Sequence, residues 1–120
     1  MTSELSIGQQ AEQWANHYLQ QQGLTLITKN YACRRGEIDL IMQDQQTLVF
    51  VEVRYRKSSA FGSALESVNT KKQQKLIFTA EHYLQQQNTA FSSYRFDVIA
   101  ITHEQNKPTI VWLQDAFQVN

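Results

Sequence analysis

Two acidic residues stand inside apolar runs that are typical of β-strands. Asp39 is flanked by isoleucine and leucine, and Glu52 is flanked by two valines. Because burying an unpaired carboxylate costs several kcal/mol, acids in such positions need a cation, a bound metal or a water-filled cleft. Converging carboxylates are ligands for the divalent metals used in phosphoryl transfer. The sequence therefore predicts a divalent-metal site formed by Asp39 and Glu52.

The segment between these two acids predicts that they lie close together. Residues 43–46 are polar and long enough to reverse the chain, so the flanking runs read as an antiparallel hairpin. In such a hairpin the residue opposite Asp39 is near position 51, within one residue of Glu52. Side chains alternate between the two faces of a strand, so Arg54 and Arg56 share a face with Glu52. We expect two carboxylates with a cation beside the second.

The remaining elements must position this pair. Helical spacing of apolar residues predicts helices over 6–22 and 63–87, and residues 115–117 read as a final turn. The strand-like runs are 24–32, 37–42, 47–55, 94–102 and 109–113. The order αβββαββ predicts an α/β fold with helices packed on a mixed sheet, whose third strand is central and buried on both faces. Residues 1–120 are expected to form a single domain.

Three charged residues in these elements need an interpretation. Lys72 lies in the apolar stripe of the second helix, so its ammonium either snorkels to solvent or enters the carboxylate cleft. Glu12 borders the apolar face of the first helix and reads as an exposed helix acid. Asp97 interrupts an apolar strand, and Arg95 on the same face is its expected partner. Asp97 is therefore interpreted as a structural residue.

Charge and composition limit the kinds of partner and the cellular compartment that can be expected for this protein. The formal net charge is zero, yet residues 29–75 hold nine of the eleven Lys and Arg residues and only five acids. This surplus predicts a polyanionic partner. The single cysteine, Cys33, excludes an internal disulfide, and the sequence shows neither a signal-peptide pattern nor a long apolar run. We expect a cytoplasmic protein with no membrane partner.

Several short motifs together cover nearly the whole length of the chain. They are Gly36-Glu-Ile-Asp-Leu-Ile, Phe50-Val-Glu-Val-Arg-Tyr-Arg, Phe61-Gly62, Ser67-Val68 with Lys72, Arg95-Phe-Asp97 and Asp115-Ala-Phe117. In these motifs the chain resembles the YraN-like family of small bacterial proteins. That family belongs by its motif to the PD-(D/E)XK, or restriction-endonuclease-like, superfamily and is similar to the archaeal Holliday junction resolvases. The resemblance implies a restriction-endonuclease-like fold.

The resemblance also implies roles for individual residues. Asp39 and Glu52 correspond to the acids that bind Mg²⁺ or Mn²⁺, and Glu12 corresponds to the acid that resolvase-type members add from their first helix. Lys72 matches a lysine that recurs in YraN-like sequences. Arg54 occupies the position of the motif lysine, which is a departure from the family pattern. Because arginine stays protonated, Arg54 cannot be a general base, although it could neutralise charge on a phosphate.

Together these features predict a metal-dependent DNA endonuclease that hydrolyses phosphodiester bonds, with branched or structured DNA as one substrate form. Two alternatives remain open: a nucleic-acid-binding module on the same fold with weak or no catalysis, and an interaction protein whose carboxylates form only buried ion pairs. The sequence also leaves open the metal, DNA against RNA, and the oligomeric state, including a homodimer. The residues expected to contact the phosphate backbone are Arg34, Arg35, Arg56 and Lys57.

Overall fold

Residues 5–56, 67–87, 91–104 and 106–119 are described by a computed structural model of the protein. The predicted order αβββαββ is confirmed. The helices and strands are α1 (Ile7–Gln21), β1 (Thr25–Cys33), β2 (Gly36–Asp44), β3 (Thr47–Arg56), α2 (Thr70–Gln85), β4 (Ser93–Glu104) and β5 (Lys107–Phe117).

The five strands form one mixed sheet in the order β1-β2-β3-β4-β5. Neighbouring strands are antiparallel except β3 and β4, which are parallel. A parallel pair needs a crossover connection, and α2 lies in the segment that provides it. The nearly continuous apolar strand β3 is central, as predicted. This architecture is α/β and restriction-endonuclease-like, so the predicted fold class is confirmed.

The first helix begins and ends within one residue of the predicted limits. Ser6 caps it: the Ser6 hydroxyl accepts a hydrogen bond from the Gln9 N–H, and the Gln9 side chain accepts one from the Ser6 N–H. Gly23 follows with φ of 101°, a left-handed conformation that suits glycine and ends the helix. Three residues of its inner face, Ala11, Ala15 and Leu19, are buried against the sheet.

The second helix begins later than predicted. Asn69 is its N-cap, because the Asn69 side chain accepts a hydrogen bond from the Lys72 N–H. Ser67 and Val68 therefore precede the helix, although Val68 is buried in the core beneath it. The start predicted at position 63 lies outside the described residues, as do Phe61, Gly62 and Leu65. Apolar spacing continues across the cap, so periodicity alone does not reveal where the helix begins.

The final turn predicted at 115–117 is wrong, because these residues continue β5. Asp115 has φ of 51° and lies where the pairing of β4 and β5 shifts register. Its N–H donates a hydrogen bond to Asp97 Oδ1 across 2.9 Å. Asp97 is fully buried and also accepts from Arg95 Nε (3.0 Å) and Trp112 Nε1 (2.9 Å). The predicted Arg95–Asp97 ion pair is present within β4, and the bonds from Trp112 and Asp115 to Asp97 tie the edge strand β5 to the sheet.

The two faces of the sheet carry separate apolar cores. Buried residues on one face pack against α1, and those on the other pack against α2. Within the part of the chain that the structure describes, no helix is long and apolar enough to cross a membrane. Each helix covers one face of the sheet, and the N-terminal halves of both helices carry the charged residues considered next.

Candidate active site

The two acids lie where β2 and β3 separate. Backbone pairing between these strands ends at Leu40 and Val51, although both strands continue. The next pair in the same register would be Asp39 and Glu52. Instead, Asp39 Oδ2 accepts a hydrogen bond from the Val53 N–H across 2.8 Å. The side chain of Asp39 thus bonds a backbone group beyond the end of the ladder, and the predicted proximity of the two acids is confirmed.

An irregularity in β2 allows Asp39 to take this position. Ile38 packs in the core beneath α2, whereas Leu40 packs in the core beneath α1. In a regular strand, residues two apart would share a face. The strand therefore turns about its axis at Asp39, so its carboxylate can reach the backbone of β3.

The environment of Asp39 disfavours its charged form. Burial raises the pKa of Asp39 to about 7, and the nearby Glu52 carboxylate contributes in the same direction. The hydrogen bond from Val53 lowers the pKa and only partly offsets these effects. Glu52 is itself buried. Two carboxylates that repel each other in a partly dry cleft would gain stability from a bound cation.

Two basic side chains contact the same oxygen of Glu52. Arg54 Nη1 lies 3.4 Å from Glu52 Oε2, and Lys72 Nζ lies 3.5 Å from it. Of the two interpretations of Lys72, the structure supports entry into the carboxylate cleft. The Lys72 side chain is still 40% exposed, so its ammonium is open to an incoming ligand. A late start to α2 places Lys72 in the first turn, beside the ends of the strands.

Arg54 has a second set of contacts that lysine could not reproduce. Its Nε donates a hydrogen bond to Ser67 Oγ (3.0 Å), and its Nη2 donates one to the Ser67 carbonyl oxygen (3.1 Å). Ser67 lies just before the N-cap of α2. The planar guanidinium therefore joins β3 to the residue that leads into the helix carrying Lys72. Arg54 helps to position Lys72 as well as contributing its own charge.

A second group of acids surrounds Asp39. Asn30 donates hydrogen bonds through Nδ2 to Glu12 Oε1 (3.0 Å) and Glu37 Oε1 (3.2 Å). Asn30 has φ of 54°, a left-handed conformation that asparagine tolerates better than most residues. Burial raises the pKa of Glu12, the bond from Asn30 opposes this, and Asp39 and Glu37 add to the increase. Glu12 is therefore in contact with Asp39, and its role in the site stays a prediction.

The acids open into a cleft of about 340 Å³ with a basic rim. Glu12 does not line this cleft and lies behind Asp39, beside a separate cavity next to α1. The cleft is lined by both metal-binding candidates, their two cations and three further charged residues, Arg35, Glu37 and Lys75. Sequence reasoning assigned no site role to Glu37 or Lys75. Glu37 shares the strand periodicity of Asp39, and Lys75 follows Lys72 by three helical positions, which are the signals that could have revealed them.

The basic residues predicted to contact the phosphate backbone differ in where the structure places them. Arg35 lines the cleft, but Arg34 is exposed in the turn between β1 and β2 and is not part of its lining. Arg56 is partly buried at the end of β3, where its Nη1 donates a hydrogen bond to the Tyr55 carbonyl oxygen (3.1 Å). Lys57 lies outside the described residues. Of the three basic residues in this set that the structure describes, Arg35 is the one that lies with the acids.

The two carboxylates suit an open site for a hard divalent cation such as Mg²⁺ rather than a closed site in which the protein supplies every ligand. Among the described residues, no group of three or more His, Cys, Asp or Glu side chains is arranged to hold a metal ion. A zinc site would need three or four such ligands, whereas Mg²⁺ commonly uses one or two carboxylates, with water and a substrate phosphate completing its shell. Asp39 and Glu52, adjacent and facing an open cleft, fit the second pattern.

Comparisons with known proteins identify relatives over most of the chain. The model of the family described as "Uncharacterised protein family UPF0102" matches residues 11–101, which include all the acids and cations that line the cleft. The chain is 54% identical over 113 residues to a UPF0102 protein of Nitrosococcus oceani, covering 93% of this chain and 91% of that protein. It is 50% identical over 116 residues to a UPF0102 protein of Pseudomonas fluorescens, covering 96% and 95%.

A third relative has the same coverage pattern. A UPF0102 protein of Psychromonas ingrahamii is 55% identical over 114 residues, covering 94% of this chain and 90% of that protein. These proteins are therefore similar in length to this chain and align with it nearly end to end. The family match and the relatives agree with the motifs found in the sequence. The chain belongs to the UPF0102 family, the YraN-like family that it resembles in its motifs.

Proposed function

We propose that this protein is a metal-dependent endonuclease that hydrolyses phosphodiester bonds in DNA, with branched or otherwise structured DNA as its substrate. One observation carries the proposal: Asp39 and Glu52 meet at the splayed ends of β2 and β3, in an open cleft where the ammonium of Lys72 is close to Glu52. Adjacent carboxylates with an accessible cation are the groups that phosphoryl transfer requires.

Asp39 and Glu52 would hold Mg²⁺ or Mn²⁺. When bound, such an ion supplies a water of lowered pKa and neutralises charge on the phosphate. Val53 keeps Asp39 oriented by donating its N–H to Oδ2. Glu12, which contacts Asp39 from behind and has a raised pKa, can keep a proton at higher pH than an ordinary glutamate. Its role is to orient Asp39.

Lys72 and Arg54 would act on the charge that develops on the phosphate. The ammonium of Lys72 can turn from Glu52 Oε2 to a phosphate oxygen, because its side chain is partly exposed. Arg54 is more buried and is bound by Ser67, so it is better placed to hold Glu52 and the start of α2 than to follow a substrate. Neither residue needs to remove a proton from water in this scheme.

The basic rim supports DNA as the partner. Arg35 in the β1–β2 turn and Lys75 on α2 both line the cleft that holds the acids. Phosphates that contact them would place the backbone of a strand across the cleft. We place this activity in the cytoplasm, in agreement with the single cysteine. A homodimer would allow two such clefts to act on a symmetrical junction.

A second function is favoured by a specific observation. Both Arg54 and Lys72 already contact Glu52 Oε2, so they neutralise one of the two carboxylates without a metal. If these ion pairs persist in solution, the fold would bind nucleic acid through its basic rim and catalyse little or nothing. This alternative and the endonuclease differ in whether the acids are needed for chemistry or only for structure.

A cleavage assay on linear, flap and four-way DNA substrates with Mg²⁺ or Mn²⁺ separates these functions. We expect wild type to cut at least one substrate, and Asp39→Asn and Glu52→Gln to abolish cutting. Asp44→Asn, a change to a partly exposed acid at the far end of β2 that does not line the cleft, is the matched control and should cut normally.

Binding of the same substrates in Ca²⁺ gives the complementary result. Salt-dependent binding without cutting would replace the endonuclease with the binding module. If the protein neither binds nor cuts any substrate at low salt, the endonuclease and the nucleic-acid-binding module are both overturned. The interaction protein then remains. Cutting that survives in both acid variants would show that it comes from a contaminant or from another site, and the proposed site would be wrong.

A further inference from the structure

A groove of about 480 Å³ lies beside the cleft, between α2 and the residues that follow β5. Phe78, Gln74 and Ile77 form its α2 wall, and Val119 lies on its other side. Arg35 lines both the groove and the cleft that contains the acids. The groove and the candidate active site are therefore neighbours, and Arg35 is the residue at their junction.

The aromatic ring in this groove is unusually placed for a phenylalanine. Phe78 is 39% exposed, although phenylalanine is more often buried. The guanidinium carbon of Arg35 lies 4.7 Å from the centre of its ring, within the range of a cation–π contact. An accessible ring with an arginine plane above it is the arrangement on which proteins stack the bases of single strands.

Close packing at Gly36 places Arg35 at this junction. A Cβ on Gly36 would lie 2.8 Å from Thr79 Oγ1 and 3.4 Å from the Lys75 carbonyl oxygen. The β1–β2 turn can therefore approach α2 closely because residue 36 has no side chain. Thr79 is fully buried, so the contact is part of the core. As a result, Arg35 extends over the exposed face of α2, next to Phe78.

We infer that this groove binds an unpaired base of a nucleic-acid strand whose backbone passes along the cleft. The inference rests on the proposed function and adds the class of substrate, namely strands with unstacked nucleotides such as flaps and junction arms. In a paired duplex, each base is stacked on its neighbours and cannot reach a side chain in a groove. A single strand or a splayed nucleotide offers a free base face.

The charges around the groove agree with this occupant. Arg35 and Lys75 lie on the side of Phe78 that faces the cleft, where phosphates would pass. Gln74 brings an amide, which can donate to and accept from a base edge. Glu81 lines the groove one turn further along α2, so the end away from the cleft is not basic. The groove thus suits one base at the ring rather than a long phosphate track.

Binding of a labelled oligothymidylate, compared with a duplex of similar length, tests the inference. Both are measured in EDTA so that no cutting occurs. We expect Phe78→Leu, which keeps an apolar side chain but removes the ring, to weaken single-strand binding by about 5- to 100-fold. Duplex binding should change little. Phe78→Trp should retain single-strand binding, and Val111→Ala, which changes an exposed apolar residue on β5, is the control.

A second measurement needs no variant. A single strand that contains 2-aminopurine should change its fluorescence when the wild-type protein binds it, because the probe exchanges stacking on its neighbouring bases for stacking on Phe78. Unchanged fluorescence on a bound strand, or equal single-strand affinity of wild type and Phe78→Leu, would overturn the inference and leave the proposed nuclease intact. If wild type neither binds nor cuts any nucleic acid, the proposed function is wrong. The inference about this groove is then wrong as well, because it rests on that function.

Discussion

The main-chain N–H of Val53 donates a hydrogen bond to Asp39 Oδ2 across 2.8 Å, at the point where the ladder between β2 and β3 has ended. This bond orients Asp39 towards β3 while the separated strands leave room for a ligand. It also satisfies a backbone donor that would otherwise lose its partner at the splay. A single side chain thereby ends the sheet pairing and presents a carboxylate next to Glu52.

Metal binding should stabilise the folded protein. At pH 8 we expect Mg²⁺ or Mn²⁺ to raise the melting temperature, because an ion that binds only the folded state shifts the unfolding equilibrium. Asp39→Asn should remove this response, and it should stabilise the metal-free protein by about 1–3 kcal/mol because a buried repulsive charge is lost. Thermal unfolding with and without metal measures both effects. Metal binding by Asp39→Asn that matches wild type, measured by calorimetry, would contradict the site.

The stability of the metal-free protein should depend on pH in a defined direction. The pKa of Asp39 is about 7 in the folded protein and near its ordinary value of 3.8 when unfolded. Between these values the folded state holds a proton that the unfolded state has released, so stability falls as pH rises from about 4 to 7.

Urea unfolding of wild type and Asp39→Asn over this pH range isolates the contribution of Asp39. Groups that do not contact Asp39 titrate alike in both proteins and cancel in the difference. Glu12, whose pKa Asp39 helps to raise, contributes to the difference in the same direction. We expect the Asp39→Asn variant to gain stability over wild type as pH rises to 7 and the difference to level off above it. A constant difference across the range would show that Asp39 titrates normally.

Two adjacent lysines on α2 provide a matched pair. Lys72 Nζ lies 3.5 Å from Glu52 Oε2, whereas Lys71 is exposed and does not line the cleft. Lys72→Ala should lower the cleavage rate by about 100- to 1,000-fold, the loss typical of a preorganised charged donor. Lys71→Ala should change it by less than about threefold. Single-turnover kinetics measure both, and equal rates for the two variants would return Lys72 to a solvent-facing role.

Substitutions at Arg54 should distinguish its contribution to stability from its contribution to the cleavage rate. Arg54→Lys loses both hydrogen bonds to Ser67 but can keep a positive charge near Glu52. We expect it to lower the free energy of unfolding by about 1–3 kcal/mol while retaining most of the cleavage rate. Arg54→Ala should lower both the free energy of unfolding and the cleavage rate. If Arg54→Lys melts like wild type, the guanidinium does not anchor the start of α2.

Two glycines should respond to alanine in opposite ways. Gly36→Ala would place a Cβ 2.8 Å from the buried Thr79 Oγ1, so we expect a loss of about 1–3 kcal/mol from overpacking. The nearest heavy atom to a Cβ at Gly8, in the first turn of α1, is Ser6 Oγ at 3.9 Å. Gly8→Ala should therefore stabilise the protein by about 0.5–1 kcal/mol, since alanine favours the helix. Equal effects would show that α2 can move away from residue 36.

Local patterns were sufficient for much of the fold and for the choice of acids. Apolar periodicity with Ser6 and Gly23 at its ends defined α1, and alternating apolar runs defined the strands up to β4. The acids were visible because a carboxylate between aliphatic residues is costly wherever it is buried. The proximity of Asp39 and Glu52 could be predicted from the length of the short turn between β2 and β3, because that turn sets the register of the hairpin.

Contacts between distant residues decided the rest. The extension of β5 depends on the Asp115–Asp97 bond, and the anchoring of Arg54 depends on Ser67. These bonds cannot be predicted from the periodicity of the sequence. Each forms only because the folded backbone places two residues that are far apart in the chain next to each other. The sequence by itself thus determined which residues could do chemistry. Only the tertiary structure decided that Lys72 reaches Glu52 and that Arg35 covers Phe78, since both contacts arise from packing α2 against the ends of the strands.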